Sequence, residues 1–290
     1  AFATMLEKDG TEISKPLIQL VQRVQQHRGM TGLLLSGKVE TKPAWGAKRQ
    51  EIAALLKTID ALIADHPHLP LAEFWGPLRS KWESLASIGE AMTPAESLLR
   101  HASLIDAVFT FQRRVADASG MALDPEISTY YLMTTAFGSI PELAEAMGRL
   151  RVAGVTALAT QKLEPETRAS MKFSFDAMAD GRELVDDNLK KVFKESAKSQ
   201  SKLAPLAQDA TARIASLKQA TEVDILDAKA LTANSQAFFA TATQAVDAQF
   251  RLFEASAEML DVLIDDRFRK IRRDEWTLIL AIGVGFVALM

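Results

Sequence analysis

Arg28 lies where an amphipathic helix normally places an apolar side chain. The stretch Val24 to Gly37 is VQQHRGMTGLLLSG, and an inward-facing stripe passes through it at spacings of three and four residues: Leu17, Val21, Val24, Arg28, Thr31 and Leu35. A guanidinium keeps its proton inside a protein, so burying it without a partner is costly. The sequence therefore predicts that Arg28 meets a negative charge, supplied by a bound anion or by an aspartate of another helix.

Other polar side chains beside apolar helix faces could complete an anion site. Arg151 lies within MGRLRVAG and Arg114 follows FTFQR. Arginine suits anions because it presents a fixed fork of donors. We predict a small cavity between helices that is lined by Arg28, His27, Thr31 and either Arg151 or Arg114. The alternative for Arg151 and Arg114 is that their stems cover apolar surface while their charged heads reach water.

Both tyrosines of the chain are adjacent, at Tyr130 and Tyr131, within LDPEISTYYLM. Neighbouring helical residues diverge by about 100°, so one ring can enter a core while the other faces a neighbouring helix or a pocket. We include Tyr131 among the candidate ligand-binding residues, with core packing as the alternative.

Enzyme signatures are scarce in this sequence. The chain has no cysteine, which excludes disulfides, thiolate zinc sites and cysteine nucleophiles, and its net charge of −3 argues against nucleic-acid binding. No glycine-rich phosphate loop or nucleophile elbow occurs. His66 and His68 flank Pro67, and a solvated turn is favoured there over a metal pair. We predict no catalytic residues, no metal and no cofactor.

Helix signals dominate the chain, and no segment alternates with the period of a strand. Four prolines, at Pro94, Pro125, Pro141 and Pro165, each have an acidic residue within the next two positions, as in the first turn of a helix, and indicate helix starts. The predicted fold is all-α and elongated: two stacked four-helix bundles that share long helices. The predicted helices cover 11–36, 45–64, 71–88, 94–119, 125–138, 141–161, 165–195, 201–218 and 222–290.

The last predicted helix joins a bundle seam to an apolar tail. The seam is regular at spacings of three and four residues: Val246, Phe250, Phe253, Ala257, Leu260, Ile264, Phe268 and Ile271. WTLILAIGVGFVALM, Trp276 to Met290, carries no charge, although a full span needs roughly 20 residues. We expect 1–273 to be a helical sensor domain and 274–290 to begin a transmembrane helix. A buried core helix is the alternative. The basic residues before the tail would favour a cytoplasmic domain, but that rule is weak for long domains.

QQHRGMTGLLLSG and LDPEISTYYLM, in this order before an apolar C-terminal helix, resemble the helical sensor regions of bacterial transmembrane receptors. The family that the two motifs resemble is the nitrate- and nitrite-sensing (NIT) domain. The resemblance implies a periplasmic domain at the inner membrane, usually dimeric, that binds a small anion and moves its terminal helix. It also implies that Arg28 contacts the anion. Gln26 and His27 stand where the family often has a second arginine, so a small carboxylate is as plausible a ligand as nitrate or nitrite.

Two functions from different classes follow. The first is a ligand-sensing domain of a signalling receptor, without catalysis of its own, whose partners are a small anion, the membrane and a second copy of the chain. The second is a membrane-anchored helical bundle that docks a protein or spaces a receptor. A carboxylate paired with Arg28 in a filled core favours the second; an empty polar cavity favours the first.

Overall fold

The computed structural model describes the backbone of residues 2–289 and the side chains of residues 2–279. Nine α-helices and no strand occur over this part of the chain, as the hydrophobic periodicity predicts. The helices are α1 (Phe2–Leu35), α2 (Lys42–Asp65), α3 (Ala72–Ile88), α4 (Pro94–Ala118), α5 (Ile127–Thr134), α6 (Ile140–Thr160), α7 (Pro165–Glu195), α8 (Ala197–Thr221) and α9 (Ser235–Leu289).

Local chemistry explains most of the helix boundaries. The Thr93 hydroxyl accepts a hydrogen bond from the Glu96 amide at 3.1 Å, just before Pro94, as the predicted cap requires. Asn234 caps α9 by accepting from the amides of Gln236 and Ala237 at 2.8 and 3.0 Å. The start of α9 is therefore at Ser235 and not near 222, because the chain continues from α8 through a π-turn (Glu222–Leu226) into a loop.

Pro141 does not begin a new helix. A π-turn (Thr135–Ser139) joins α5 directly to α6, so the backbone is helical from Ile127 to Thr160. Proline has no N–H for the carbonyl four residues earlier, and a widened turn accommodates that missing bond without a break. This corrects the predicted boundary between 138 and 141.

Two four-helix bundles lie side by side. Helices α1–α4 form one bundle and the continuous α5–α6 helix forms the other with α7, α8 and α9. Helix α1 packs against α9 and α6 in the second bundle, through polar contacts from Lys8–Asp265 to Arg28–Glu145. These contacts span 20 residues of α1, about 30 Å of helix. The prediction of two four-helix bundles is confirmed. The bundles lie side by side and are not stacked end to end, because residues 8–19 of α1 pair with residues 254–265 of α9.

The first and last helices are antiparallel. Lys8 pairs with Asp265 at 2.7 Å, and further along α1 Gln19 contacts Glu254 at 3.2 Å. The beginning of α1 and the later part of α9 therefore lie at the same end of the molecule. The predicted apolar seam is buried within the chain from Val246 to Ile264, so it packs α9 into its own bundle.

No helix in the described part of the chain has the length and apolar character needed to cross a membrane. Helix α9 continues as a helix to Leu289. The predicted span at 274–290 lies partly outside the described residues, which include no side chains after Ile279.

Candidate functional site

Arg28 on α1 is paired with Glu145 on α6. Nη1 donates to Glu145 Oε1 at 2.9 Å and Nη2 donates to Oε2 at 3.1 Å. Arg28 is 3% exposed and Glu145 is 4% exposed, so both charges are removed from water. The partner of Arg28 is thus a carboxylate of another helix, as the alternative prediction has it, although it is a glutamate and not an aspartate.

Glu145 accepts further hydrogen bonds in the same place. Gln25 Nε2 donates to Oε2 at 2.9 Å and Arg149 Nε donates to Oε1 at 2.9 Å. Burial by itself would raise the pKa of Glu145, but the charge of Arg28 and the hydrogen bonds from Arg28, Arg149 and Gln25 hold that pKa below its usual value. Glu145 is therefore an ionised acceptor shared by two arginines.

Gly148 provides the space for the Arg28 guanidinium. A Cβ at this position would stand 2.9 Å from Arg28 Nη2, closer than any relaxed contact. Gly148 follows Glu145 by three residues, so the two lie on one face of α6. A glycine and an acid at this spacing form the socket that receives Arg28.

Arg151 lies one helical turn beyond Gly148 and is buried as well. Its Nη1 donates to the Thr243 hydroxyl of α9 at 2.9 Å, and its guanidinium lies 5.3 Å from the centre of the Phe239 ring. Among the described residues no carboxylate lies within salt-bridge distance of Arg151, and its Nε has no partner. Burial, followed by the nearby charge of Arg28, lowers the pKa of Arg151 to about 10. Arg151 is a buried cation whose charge is poorly compensated.

Thr31 and His27 contact the first bundle instead. The Thr31 hydroxyl donates to the His27 carbonyl at 2.8 Å and accepts from Trp45 Nε1 at 2.9 Å. His27 Nδ1 is 2.8 Å from His101 Nε2. Both residues are buried, and they hydrogen-bond with Trp45 of α2, His101 of α4 and the backbone of α1, and not with Glu145.

Burial makes the two histidines neutral. It lowers the pKa of His27 to about 3, with smaller effects of His101 and Arg49, and that of His101 to about 4. His101 Nδ1 lies 2.6 Å from the Ser97 carbonyl, which only accepts, so Nδ1 carries the proton and His101 Nε2 accepts from His27 Nδ1. With these two hydrogen bonds in place, His27 Nε2 is a buried acceptor without a partner.

The structure does not bring Arg114 or Tyr131 to this cluster. Arg114 is exposed on α4, 3.7 Å from the centre of the Phe74 ring, and it follows His101 by 13 residues, about 20 Å of helix. Tyr131 precedes Glu145 by 14 residues, about 21 Å, and its ring receives the Lys191 ammonium at 4.2 Å. Their predicted place in one pocket with Arg28 is therefore corrected: the helical spacing separates them from it.

Two grooves lie beside the cluster, between different sets of helices. One, of about 340 Å³, lies between α4, α6 and α7 and reaches Glu145 and Arg149. The other, of about 490 Å³, lies between α1 and α9 and is lined by Gln22, Gln26, Asp247, Phe250 and Arg251, among others. Neither groove is lined by Arg28, so the predicted cavity around Arg28 is not open in this structure.

Glu145, Gly148 and Thr243 were not recognised in the sequence. Glu145 stands between small residues in ELAEAMG, and those small residues mark a second packing face of α6. That signal indicates a helix buried on two sides, but it does not identify the partner of Arg28 more than a hundred residues earlier.

The fold recurs in a solved structure, that of the NasR transcription antiterminator. The two structures agree with a TM-score of 0.73 over 91% of this chain and 71% of that chain, at 15% sequence identity. This likeness shows a shared all-helical fold. No protein-family model and no curated protein matches the chain.

Proposed function

We propose that this chain is the ligand-sensing domain of a bacterial transmembrane signalling receptor, and that it binds a small anion such as nitrate, nitrite or a small carboxylate between α1, α6 and α9. The observation that carries the proposal is the charge imbalance at Arg28 and Arg151. Both guanidiniums are buried. Glu145 is the carboxylate bonded to Arg28, whereas the hydrogen-bond acceptor of Arg151 is the neutral Thr243, and Asp247 and Glu145 act on Arg151 only from beyond salt-bridge distance. A small anion would supply the missing negative charge.

The unsatisfied donors support the same location. The Nε atoms of Arg28 and Arg151 are both buried without a hydrogen-bond partner. A buried donor left unpaired costs about 1–3 kcal/mol, and more when it is charged. An oxyanion between the two guanidiniums could accept from these groups, so ligand binding would recover that cost.

The groove between α1 and α9 is the proposed entrance. Asp247 lines it, and the charge of Arg151 acts on this half-buried carboxylate. The groove also holds Glu254 and Glu258, so it is mixed in charge and does not itself attract anions. The binding groups would be the guanidiniums behind it, reached when α9 moves relative to α1.

Such a movement would carry the signal. Thr243 belongs to α9, so an anion that draws Arg151 toward Arg28 changes a contact of the terminal helix. The uncharged sequence after Glu275 would place the end of that helix in the inner membrane, and the resemblance to NIT domains would place the domain in the periplasm. A second copy would pack beside α1 and α9 through exposed positions outside this groove, such as Phe2, Met5 and Asp266. The motif resemblance to NIT domains and the fold's presence in a regulatory protein, the NasR antiterminator, agree with a sensory role.

Calorimetric titration with nitrate, nitrite, formate and acetate tests the proposal, with chloride at equal ionic strength as the reference. We expect one of these anions to bind, and Arg151→Met to weaken it about tenfold to a hundredfold, because a charge-assisted bond is worth about 1.5–3 kcal/mol. Asp247→Asn should strengthen binding, since it removes a competing negative charge. Arg114→Met is the matched control, because its guanidinium is distant from the cluster. Binding equal in Arg151→Met and the parent, or no binding above chloride, contradicts the proposal.

The Arg28–Glu145 pair favours a second candidate, a helical bundle that docks a partner protein or spaces a receptor without a ligand. In that case the pair only locks α1 to α6. All four anions would then fail to raise the melting temperature, whereas cysteines introduced at exposed α9 positions would still cross-link between copies or to a partner. The chain has no native cysteine, so each cross-link reports one introduced position.

A further inference from the structure

Four metal-ligating side chains converge where α1 passes the turn between α2 and α3. Asp9 and Glu12 are three residues apart on α1, and His66 and His68 belong to the turn. His66 Nε2 lies 3.4 Å from Asp9 Oδ1 and 3.7 Å from Glu12 Oε2. His68 Nε2 lies 2.9 Å from the other oxygen of Asp9. The residues come from parts of the chain more than fifty positions apart.

From this arrangement we infer a divalent transition-metal site, best suited to Zn²⁺, formed by Asp9, Glu12 and His66 with His68 as a fourth ligand. Three of these residues offer ligand atoms that all lie within 4.8 Å of one another. Zn²⁺ binds imidazole nitrogen and carboxylate oxygen at about 2.0–2.2 Å, so neighbouring ligands of a tetrahedral ion are about 3.3–3.6 Å apart. The separations of His66 Nε2 from Asp9 and Glu12, 3.4 and 3.7 Å, are close to that edge length, and His68, now 2.9 Å from the second Asp9 oxygen, would turn from this hydrogen bond to the ion.

The orientation of His66 is the second observation that supports the site. Its Nδ1 is 2.8 Å from the Leu62 carbonyl, which can only accept, so Nδ1 carries the proton. The lone pair is then on Nε2, the atom that faces Asp9 and Glu12. Metal-binding histidines are characteristically fixed in this way by a backbone carbonyl at the other ring nitrogen.

The charge and access of the cluster also fit a cation. Two carboxylates and two neutral imidazoles would balance a divalent ion, and this mixture of nitrogen and oxygen ligands favours Zn²⁺ over Mg²⁺ or Ca²⁺, which prefer oxygen alone. His66 and Asp9 are mostly buried, whereas His68 and Glu12 reach solvent and leave a path for the ion. The effect of binding would be to fasten α1 to the α2–α3 turn.

This chain allows a clean test. It has no cysteine and four histidines, and of those His27 and His101 are enclosed in the first bundle. Zn²⁺ is titrated into tag-free, chelator-stripped protein at pH 7.5, where unprotonated imidazole can bind. We expect one Zn²⁺ per chain, a raised melting temperature, and no comparable effect of Mg²⁺ or Ca²⁺. Co²⁺ should give the visible absorption of a tetrahedral nitrogen–oxygen site.

The variants locate the ion. His66→Gln should weaken Zn²⁺ binding more than tenfold, since loss of a mere orienting partner of a ligand already costs about 10–100-fold. His68→Gln and Glu12→Gln should weaken it as well, and as exposed substitutions they leave the fold intact. Asp65→Asn, which changes the exposed last residue of α2, next to the turn but outside the cluster, is the control and should bind as the parent does. Absence of 1:1 binding, or equal affinity in His66→Gln, His68→Gln and Asp65→Asn, overturns the inference and leaves the cluster as a set of ion pairs that anchor the turn.

The site is separate from the proposed anion site. Glu12 precedes Arg28 by 16 residues, about 24 Å of helix. Zn²⁺ binding should therefore persist in Arg151→Met, so failure of the anion proposal would not affect this result.

Discussion

Glu145 accepts one hydrogen bond from each terminal nitrogen of Arg28, across the interface between the two bundles. Because the pair is almost fully buried, each charge depends on the other for its solvation. Pairs of this kind are worth little compared with apolar residues of the same shape, yet removing one partner alone is expensive. The pair therefore makes the association of α1 with α6 specific more than it makes it strong.

Glu145→Gln should be among the most destabilising single substitutions in this chain. It strands Arg28 as a buried cation and is expected to cost about 3–5 kcal/mol. The double variant Arg28→Met/Glu145→Leu should recover most of that loss. Calorimetric melting of the three proteins measures the difference. A double variant no more stable than Glu145→Gln would mean that the pair contributes net stability.

Gly148→Ala tests whether the socket for Arg28 is tight. The added methyl would stand 2.9 Å from Arg28 Nη2, so the guanidinium must shift and the cost should be about 1–3 kcal/mol. Gly32→Ala is the control on α1, where a Cβ meets nothing within 4 Å. It should stabilise the helix by about 0.5–1 kcal/mol. Denaturant unfolding gives the change in the free energy of unfolding for each variant. Equal changes in the two variants would show that the space around the Arg28 guanidinium is not tight.

The inward direction of Arg28 was predictable because its helix repeats with a clear period, and one apolar position was occupied by a charge. The identity of its partner was not, since Glu145 looks like any acidic residue on a helix until α1 and α6 are placed side by side. The same limit explains the α2–α3 turn. His66 and His68 look like a solvated turn by themselves, and only the packing of α1 supplies Asp9 and Glu12. Helical spacing, by contrast, already separates Tyr131 from Glu145 once α5 and α6 are known to be continuous.

Moderate acid should destabilise the first bundle through its two buried histidines, His27 and His101, at pH values at which exposed carboxylates are still ionised. The pKa values of His27 and His101 are about 3 and about 4 in the folded chain, below the ordinary 6.5. As the pH falls below about 6.5 the unfolded chain binds protons that the folded chain does not, so the free energy of unfolding falls by up to about 1.4 kcal/mol per pH unit for each histidine, down to about pH 4.

Melting temperatures between pH 7 and pH 4.5 check this dependence. His27→Gln should make it shallower, because one of the two buried bases is gone. Gln112→Leu, which removes another buried polar side chain of α4 that does not titrate, is the control and should leave the slope unchanged. A slope that is the same in the parent and in His27→Gln would place the acid sensitivity elsewhere.

Arg267 closes the end of the molecule at which α1 begins. It is buried on α9, contacts Glu7 of α1, and donates to Asp124 Oδ1 at 2.7 Å, so it neutralises two buried carboxylates. Burial raises the pKa of Asp124, against the lowering effect of hydrogen bonds from Thr129 and the Glu126 amide. Arg267→Met would leave Glu7 and Asp124 facing each other without a cation, at an expected cost of about 3–5 kcal/mol at pH 7.

The loss of stability in Arg267→Met should depend on pH, and the direction of that dependence distinguishes stranded carboxylates from lost packing. Without the cation, the folded-state pKa values of the two carboxylates rise above their unfolded values, so their protonation favours folding at low pH and the deficit grows as the pH rises. The gap in melting temperature between this variant and the parent should therefore be smaller at pH 5 than at pH 7. Arg269→Met, which removes an exposed arginine paired with Asp266 three residues earlier on α9, should cost less than about 1 kcal/mol at either pH. A gap for Arg267→Met that is constant with pH would mean that lost packing of the arginine stem, and not the stranded carboxylates, accounts for the effect.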